Sequence, residues 1–241
     1  MPDSMAHRFE TTRWSVILRA AGADNDAAQK ALSEVCTLYW FPLYAYFRRS
    51  GKTPPDAEDL TQGFFLHLLN REILTKATPD KGRLRTYLLS CARNFLLDEI
   101  AHKHALKRGA GLVVQMDAAH AENLYTSDGL DFLTPDRLFQ RRWAMTILSQ
   151  SLQLLADEYA SAGQSDLFEM LRPFLGFGPD PDKCYDALSS QLAIPVGTLK
   201  NKVFRLRERW RKLLFEQVAF TLDDPTQDNI KAELTELLGS V

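Results

Sequence analysis

The chain has 241 residues, 45% hydrophobic and 25% charged, with a net charge of −2, ordinary globular values that allow one large domain or two small ones. No stretch approaches the roughly 18 apolar residues of a membrane span, and the N-terminal "MPDSMAHRFETTRW" lacks the apolar centre of a secretory signal. Cys36, Cys91 and Cys184 stand far apart without a C-x-x-C pair, which argues against a zinc site and fits reduced, buried thiols in a cytoplasmic protein.

The small net charge hides a block pattern. Residues 1–108 carry 16 basic and 12 acidic side chains, and residues 109–136 carry no basic and 5 acidic ones. Residues 137–222 carry 12 and 9, and residues 223–241 carry 1 and 5. Two mildly basic blocks are separated and followed by acidic ones, which makes a nucleic-acid partner for the basic parts plausible.

Apolar spacings of three and four recur along the chain and period-two alternation is scarce, so the expected fold is all-α. Thr11 and Thr12 can cap a short helix through Ala21. A second helix covers Ala27 to Arg49, bent by Pro42 and stopped at Gly51. "TPPDAEDLTQGFFLHLLN" begins with a threonine, prolines suited to a first turn and acids suited to a helix N-terminus. After the turn "TPDKG" a long pattern runs from Arg83 to about Lys107 through Leu84, Leu88, Ala92, Phe95 and Ile100. Residues 109–134 are acidic, Gly-containing and aperiodic, and read as a flexible linker. Helices resume at Pro135–Tyr159, Ser165–Leu175 and Lys183–Leu192; a basic helix follows, and a last one spans Thr226–Leu238. Two small helical domains, 1–108 and 135–222, are therefore expected, with an acidic tail over 223–241.

The basic helix, "IPVGTLKNKVFRLRERWRKLL", carries the most information. With Leu199 at zero on a helical wheel, Val203, Leu206, Trp210 and Leu213 fall within about 40° of it and form a core stripe. Lys200, Asn201, Phe204 and Arg205 fall on the opposite half, and a merely solvated face has no use for Phe204. Arg and Lys suit guanine O6/N7, Asn suits adenine, and an exposed aromatic can contact a thymine methyl. Upstream, Tyr185–Leu192, a turn at Ala193–Pro195 and a helix from Val196 have the grammar of a helix-turn-helix whose second helix reads the major groove.

Here the sequence resembles the bacterial RNA polymerase sigma factors of the extracytoplasmic-function type. "IPVGTLKNKVFRLRER" is similar to the region-four helix that reads the minus-thirty-five element. "DAEDLTQGFFLHLL" resembles the region-two helix that docks on the clamp of the polymerase largest subunit, and "LRTYLLSCARNFLLDEIA" the segment that captures the minus-ten element. The resemblance covers roughly residues 10–108 and 135–215. It implies minus-thirty-five contacts by Lys200, Asn201, Lys202, Phe204, Arg205 and Arg207. It implies minus-ten contacts by Tyr87, Arg93, Asn94, Lys103, Lys107 and Arg108, with Asn94 holding a flipped base. Polymerase docking falls to Asp56, Asp59, Leu60, Gln62 and Leu66. The implied partners are core RNA polymerase and promoter DNA, with an anti-sigma factor or regulatory kinase as controlling partners, and neither a membrane nor a cofactor.

The residues add their own argument. On the docking helix Asp59, Gln62 and Leu66 lie within roughly 60° of one another, a mixed face suited to a basic protein surface. Leu60, Phe64 and Leu68 share an apolar side. Departures are visible: Leu84 and Tyr87 stand where the family usually has Phe and Trp, Gly63 replaces a usual acid, and "EIAHKHALKR" is less basic than usual. Thr61 beside Gly63 is a candidate for phosphorylation, although the wheel places it nearer Leu68 than Asp59, which favours a buried threonine.

Two rival readings are available. Asp98, Glu99, His102 and His104 suggest a metalloenzyme, but His102 and His104 point about 200° apart on a helix, and no phosphate loop or nucleophile motif appears. The protein is expected not to be an enzyme. A one-component helix-turn-helix regulator is the alternative, and it predicts binding to duplex DNA without polymerase. In the tail, Ile230, Leu234, Leu237 and Leu238 make an apolar stripe that needs a surface to pack on. The nearest surface in sequence is the C-terminal domain, where the tail either opposes the basic helix or completes the core.

Overall fold

The computed structural model describes residues 26–69, 83–102, 117–127, 132–176, 185–222 and 224–239. The expected helix between Thr11 and Ala21 lies outside them, as do Lys103, Lys107 and Arg108. Among the described residues nine α-helices and no strands form an all-α fold: α1 Asp26–Arg49, α2 Pro54–Leu69, α3 Leu84–His102, α4 Ala118–Ser127, α5 Pro135–Ser161, α6 Ser165–Leu171, α7 Tyr185–Leu192, α8 Val196–Ala219 and α9 Gln227–Gly239. A single 3-10 turn, Arg172–Leu175, follows α6.

Local chemistry sets the ends. Gly51 stops α1 with φ +85°; its N–H donates to the Arg48 carbonyl (3.1 Å) and that of Lys52 to Phe47 (3.2 Å), closing the orphan carbonyls of the last turn. Pro42 sits inside α1, whose helix continues through it to Arg49. Thr53 caps α2 by accepting from the Asp56 N–H (3.3 Å), while its hydroxyl donates to the Asp56 carboxylate (2.8 Å).

The chain divides into two compact units, Met1–Thr146 with Val218–Val241, and Ile147–Gln217. The first unit is built on aromatics. Tyr39, Tyr44, Phe47, Phe64, Phe65, Phe139 and Trp143 are among its fully buried side chains; Tyr39 stacks on Phe139 with centroids 6.4 Å apart, and Phe64 meets the edge of Phe95 at 5.7 Å. Burial pushes the Cys36 thiol up to about 12, which leaves it as an inert apolar filler. The second unit closes around Leu155, Phe168, Leu171, Phe174, Leu188, Leu199, Val203, Leu206 and Leu213.

Two expectations need correction. Within the segment read as a linker, residues 118–127 form α4, capped by Asp117 accepting from the His120 N–H (2.9 Å). Glu122 fastens α4 to α1, accepting from the Tyr44 hydroxyl (2.6 Å) and from Arg48 Nε (2.8 Å) and Nη2 (2.6 Å). Those donors hold the Glu122 carboxyl below its ordinary range. A helix of ten residues is marginal alone, and this anchoring contact is 74–78 residues distant in sequence. The tail is the second correction: α9 belongs to the first unit, not to the C-terminal one. Ile230 and Leu237 are buried there, Leu234 is half-buried, and Leu238 is exposed.

Candidate protein and nucleic-acid interfaces

The faces of α2 separate by chemistry. Asp59 is exposed, and Asp56, Gln62 and Leu66 are half-buried, so Asp59, Gln62 and Leu66 share an accessible strip at spacings of three and four. Gln62 Nε2 donates to Glu58 (3.4 Å), which adds an acid beside the strip. Leu60 does not join it: at 6% exposure it packs inward with Phe64 and Leu68. The wheel had placed Leu60 on that apolar side, and the helix keeps it there. Thr61 is fully buried and its hydroxyl donates to the Ala57 carbonyl (2.6 Å). This burial is what the wheel favoured, and it counts against Thr61 as a phosphorylation candidate. At Gly63 a Cβ would meet Phe95 Cζ of α3 at 3.4 Å, so the place of the usual acid is where α2 and α3 approach closely.

On α3, residues Ser90, Arg93, Asn94 and Leu97 are exposed at helical spacings, and Ile100 extends the same side. Arg93 reaches α5, donating to Asp136 (2.7 Å), a contact that raises its pKa. Asn94 is exposed and available. Tyr87 is half-buried; burial first and its contact with Cys91 second hold its phenol protonated. Leu97 and Ile100 are 60% and 50% exposed; the sequence reading left Leu97 unmarked and counted Ile100 in the apolar pattern of the helix. The signal for Leu97 was present, since it lies one turn beyond Arg93 and opposite the Leu88–Ala92–Phe95 stripe.

The first turn of α3 contains no acid, and Arg83 and Arg85 flank Leu84 at its start. Cations are unfavourable at the positive end of a helix. The missing carboxylates come from α9. Glu233, fully buried, accepts from Arg83 Nε (2.6 Å) and from Arg85 Nε (2.6 Å) and Nη2 (3.2 Å). Glu236 pairs with Arg83 and, at 2.8 Å, with Arg85. Arg85 also donates to Gln140 and lies 4.8 Å over the Trp143 ring. No sequence signal marked Glu233, because a wheel counts an acid on a short tail as solvent-facing.

In the second unit α7 and α8 are joined by Ala193–Pro195, with the boundaries expected from the sequence. Ala193 takes φ +51°, the left-handed conformation that ends many helices. Its N–H donates to the Ser190 carbonyl (3.3 Å), the Ile194 N–H to Ser189 (3.1 Å), and the Ser189 hydroxyl to the Ile194 carbonyl (2.5 Å). Leu199, Val203, Leu206 and Leu213 are buried as the wheel required, whereas Trp210 is half-buried and donates to the Ser151 hydroxyl (3.0 Å). Lys200, Asn201, Lys202, Phe204 and Arg205 are exposed together, Phe204 by 64%. Lys200 lies 5.5 Å over the Tyr185 ring. Arg207 is also exposed, but its Nε holds the Phe174 carbonyl (2.9 Å) at the 3-10 turn, so part of its role is structural. Among the described residues no group of three or more His, Cys, Asp or Glu could hold a metal ion, and no helix is long and apolar enough to cross a membrane.

Residues 42–105 match the family described as Sigma-70 region 2. The match takes in the last third of α1 and all of α2 and α3. No curated protein and no solved structure matches the chain. The matched segment makes up roughly a quarter of the chain's length.

Proposed function

We propose that the protein is a transcription initiation factor of the extracytoplasmic-function sigma type, which binds core RNA polymerase and directs it to specific promoters. The observation that carries this reading is the Sigma-70 region 2 match over 42–105. That domain implies polymerase binding and promoter melting, and the polymerase, not this chain, performs nucleotidyl transfer. It is a cytoplasmic activity.

Each exposed face has a task in this reading. Asp59, Gln62 and Leu66, with Asp56 beside them, meet a basic surface on the clamp of the polymerase largest subunit. Asn94 takes a base turned out of the minus-ten element, and Tyr87 offers a stacking surface at the start of the same helix. Leu97 and Ile100 provide apolar contact for unstacked bases, and Arg93, Lys103, Lys107 and Arg108 follow the phosphates. In the second unit Lys200, Asn201, Lys202, Phe204 and Arg205 read the minus-thirty-five element, with Arg207 holding the turn behind them.

Co-purification with core polymerase tests the reading. The wild-type chain should be retained by core enzyme, and Asp59→Lys should lose retention with unchanged thermal melting. Run-off transcription with core enzyme on a genomic library should then yield a restricted set of start sites. A one-component regulator is the second reading, supported by the exposed basic half of α8. It requires tight duplex binding without polymerase, and that result together with no core retention would replace the sigma assignment.

A further inference from the structure

The ion network at the start of α3 is unusual in what it joins. Arg85 and Glu233 are 148 residues apart, both are almost completely buried, and their two-pronged contact fixes the plane of the guanidinium as well as its distance. Arg85 is held on its other sides by Gln140 and Trp143 of α5. Arg83, one residue before the helix, is tied to the same carboxylate, and its carbonyl accepts from the Thr86 and Tyr87 N–H groups (both 3.1 Å). Buried ionic groups add little net stability over apolar ones, but they specify orientation and register, because only one arrangement satisfies all their partners. Both charges that oppose the dipole of α3 are neutralised from α9.

We propose that Glu233 is a positioning residue for promoter opening: by clamping Arg83 and Arg85 it sets the first turn of α3, and through that turn the direction of Tyr87 and of the Asn94 face. The proposal rests on the reading of α3 as the strand-opening helix. The C-terminal helix is then a working part of the region-two-like unit and not a separate appendage. Glu236, half-exposed, reinforces the clamp without being enclosed by it.

The test uses the full-length chain with core polymerase, on a promoter fragment recovered by run-off transcription. One template is fully paired and the other is unpaired around the start site. Glu233→Gln keeps the shape and removes the charge; Asp228→Asn, on the exposed first turn of α9, is the control. Glu233→Gln should slow opening of the paired template by about tenfold. Core affinity should be unchanged, and the unpaired template should restore transcription to near the wild-type rate. Asp228→Asn should behave as wild type. Equal loss on both templates would reduce Glu233 to a purely structural role and overturn the proposal, as would wild-type opening by Glu233→Gln. If Glu233→Gln does not fold, Glu236→Gln decides. Loss of about threefold confined to the paired template supports positioning, and no template-dependent loss overturns it. Failure of the wild-type chain to bind core enzyme would instead overturn the reading of α3 on which the proposal rests.

Discussion

The arginines of α3 and the basic residues at the start of α8 are chemically alike and structurally opposite. On α3 and the residue before it, Arg83, Arg85 and Arg93 each find a carboxylate from a distant element: Glu233 and Glu236 for the first two, Asp136 for the third. On α8, Lys200, Lys202 and Arg205 stand on the exposed half of the helix, and the pairs that do form, Arg209 with Glu158 and Arg211 with Glu208, lie further along. The difference teaches that a basic run cannot be assigned to a ligand by counting. Arg83 and Arg85 are tied to the buried Glu233 and Arg93 to the half-exposed Asp136, whereas the cations at the start of α8 stand on the half opposite its core stripe. The first unit therefore presents a mixed amide and apolar face on α3, and the second unit a cationic and aromatic one on α8.

The sharpest way to break this contrast is to remove an acid from the first unit. Glu233→Ala leaves Arg85 buried with its main counter-charge gone, and breaking such a pair costs about 3–5 kcal/mol. Denaturant unfolding should show that loss. A change below about 1 kcal/mol, the range of exposed pairs, would make the network as dispensable as the surface pair Arg211–Glu208.

The second unit should respond in the opposite sense. Lys200→Ala and Arg205→Ala should leave unfolding curves unchanged and each weaken recognition of the upstream element by about 1–3 kcal/mol if the contact is bidentate to a base. Core retention should persist in both variants. Wild-type transcription from the cognate promoter by both would remove α8 as the reading helix.

Acid titration separates the units more gently. Hydrogen bonds from Arg48 depress the Glu122 carboxyl below its ordinary range, so its contribution is complete above that range and is lost as pH falls through the depressed value. The first unit should loosen there, followed by its tyrosine fluorescence. Glu122→Gln should flatten that part of the pH profile by an amount typical of a partly exposed pair, under about 1 kcal/mol. An unchanged profile would show that α4 is not held by this carboxylate.

The smallest expected effect sharpens the second unit alone. Ala193 sits at φ +51°, which a glycine adopts without strain. Ala193→Gly should therefore be stabilising or neutral, within about 1 kcal/mol, with DNA contacts unaltered. Clear destabilisation would mean that the Ala193 methyl group contributes packing that its exposed position does not suggest.

Much of this was legible in the sequence because it is local. The ends of α7 and α8 follow from turn chemistry over Ala193–Pro195, and the buried and exposed halves of α8 follow from its period. The accessible strip of Asp59, Gln62 and Leu66 on α2 was readable for the same reason. What escaped depends on distant partners. Helix α4 needs Tyr44 and Arg48 to hold it, and Glu233 is buried only because two arginines lie across from it. Leu60 shows a different failure: its place on the wheel was read correctly, but the family pattern drew it onto the docking face.

The distance between Arg85 and Glu233 also has a meaning in time. At about 5–20 residues per second of synthesis, Arg85 is made roughly 7–30 s before the acid that neutralises it, 148 residues later. Through that interval α1 to α3 can pack against one another, but Arg83 and Arg85 at the start of α3 lack the Glu233 and Glu236 carboxylates that neutralise them. The first unit begins to fold early and completes its charge pairing late. Nascent chains stopped before α9 should be cleaved by protease near Arg83 and Arg85, and chains extended through α9 should resist it there.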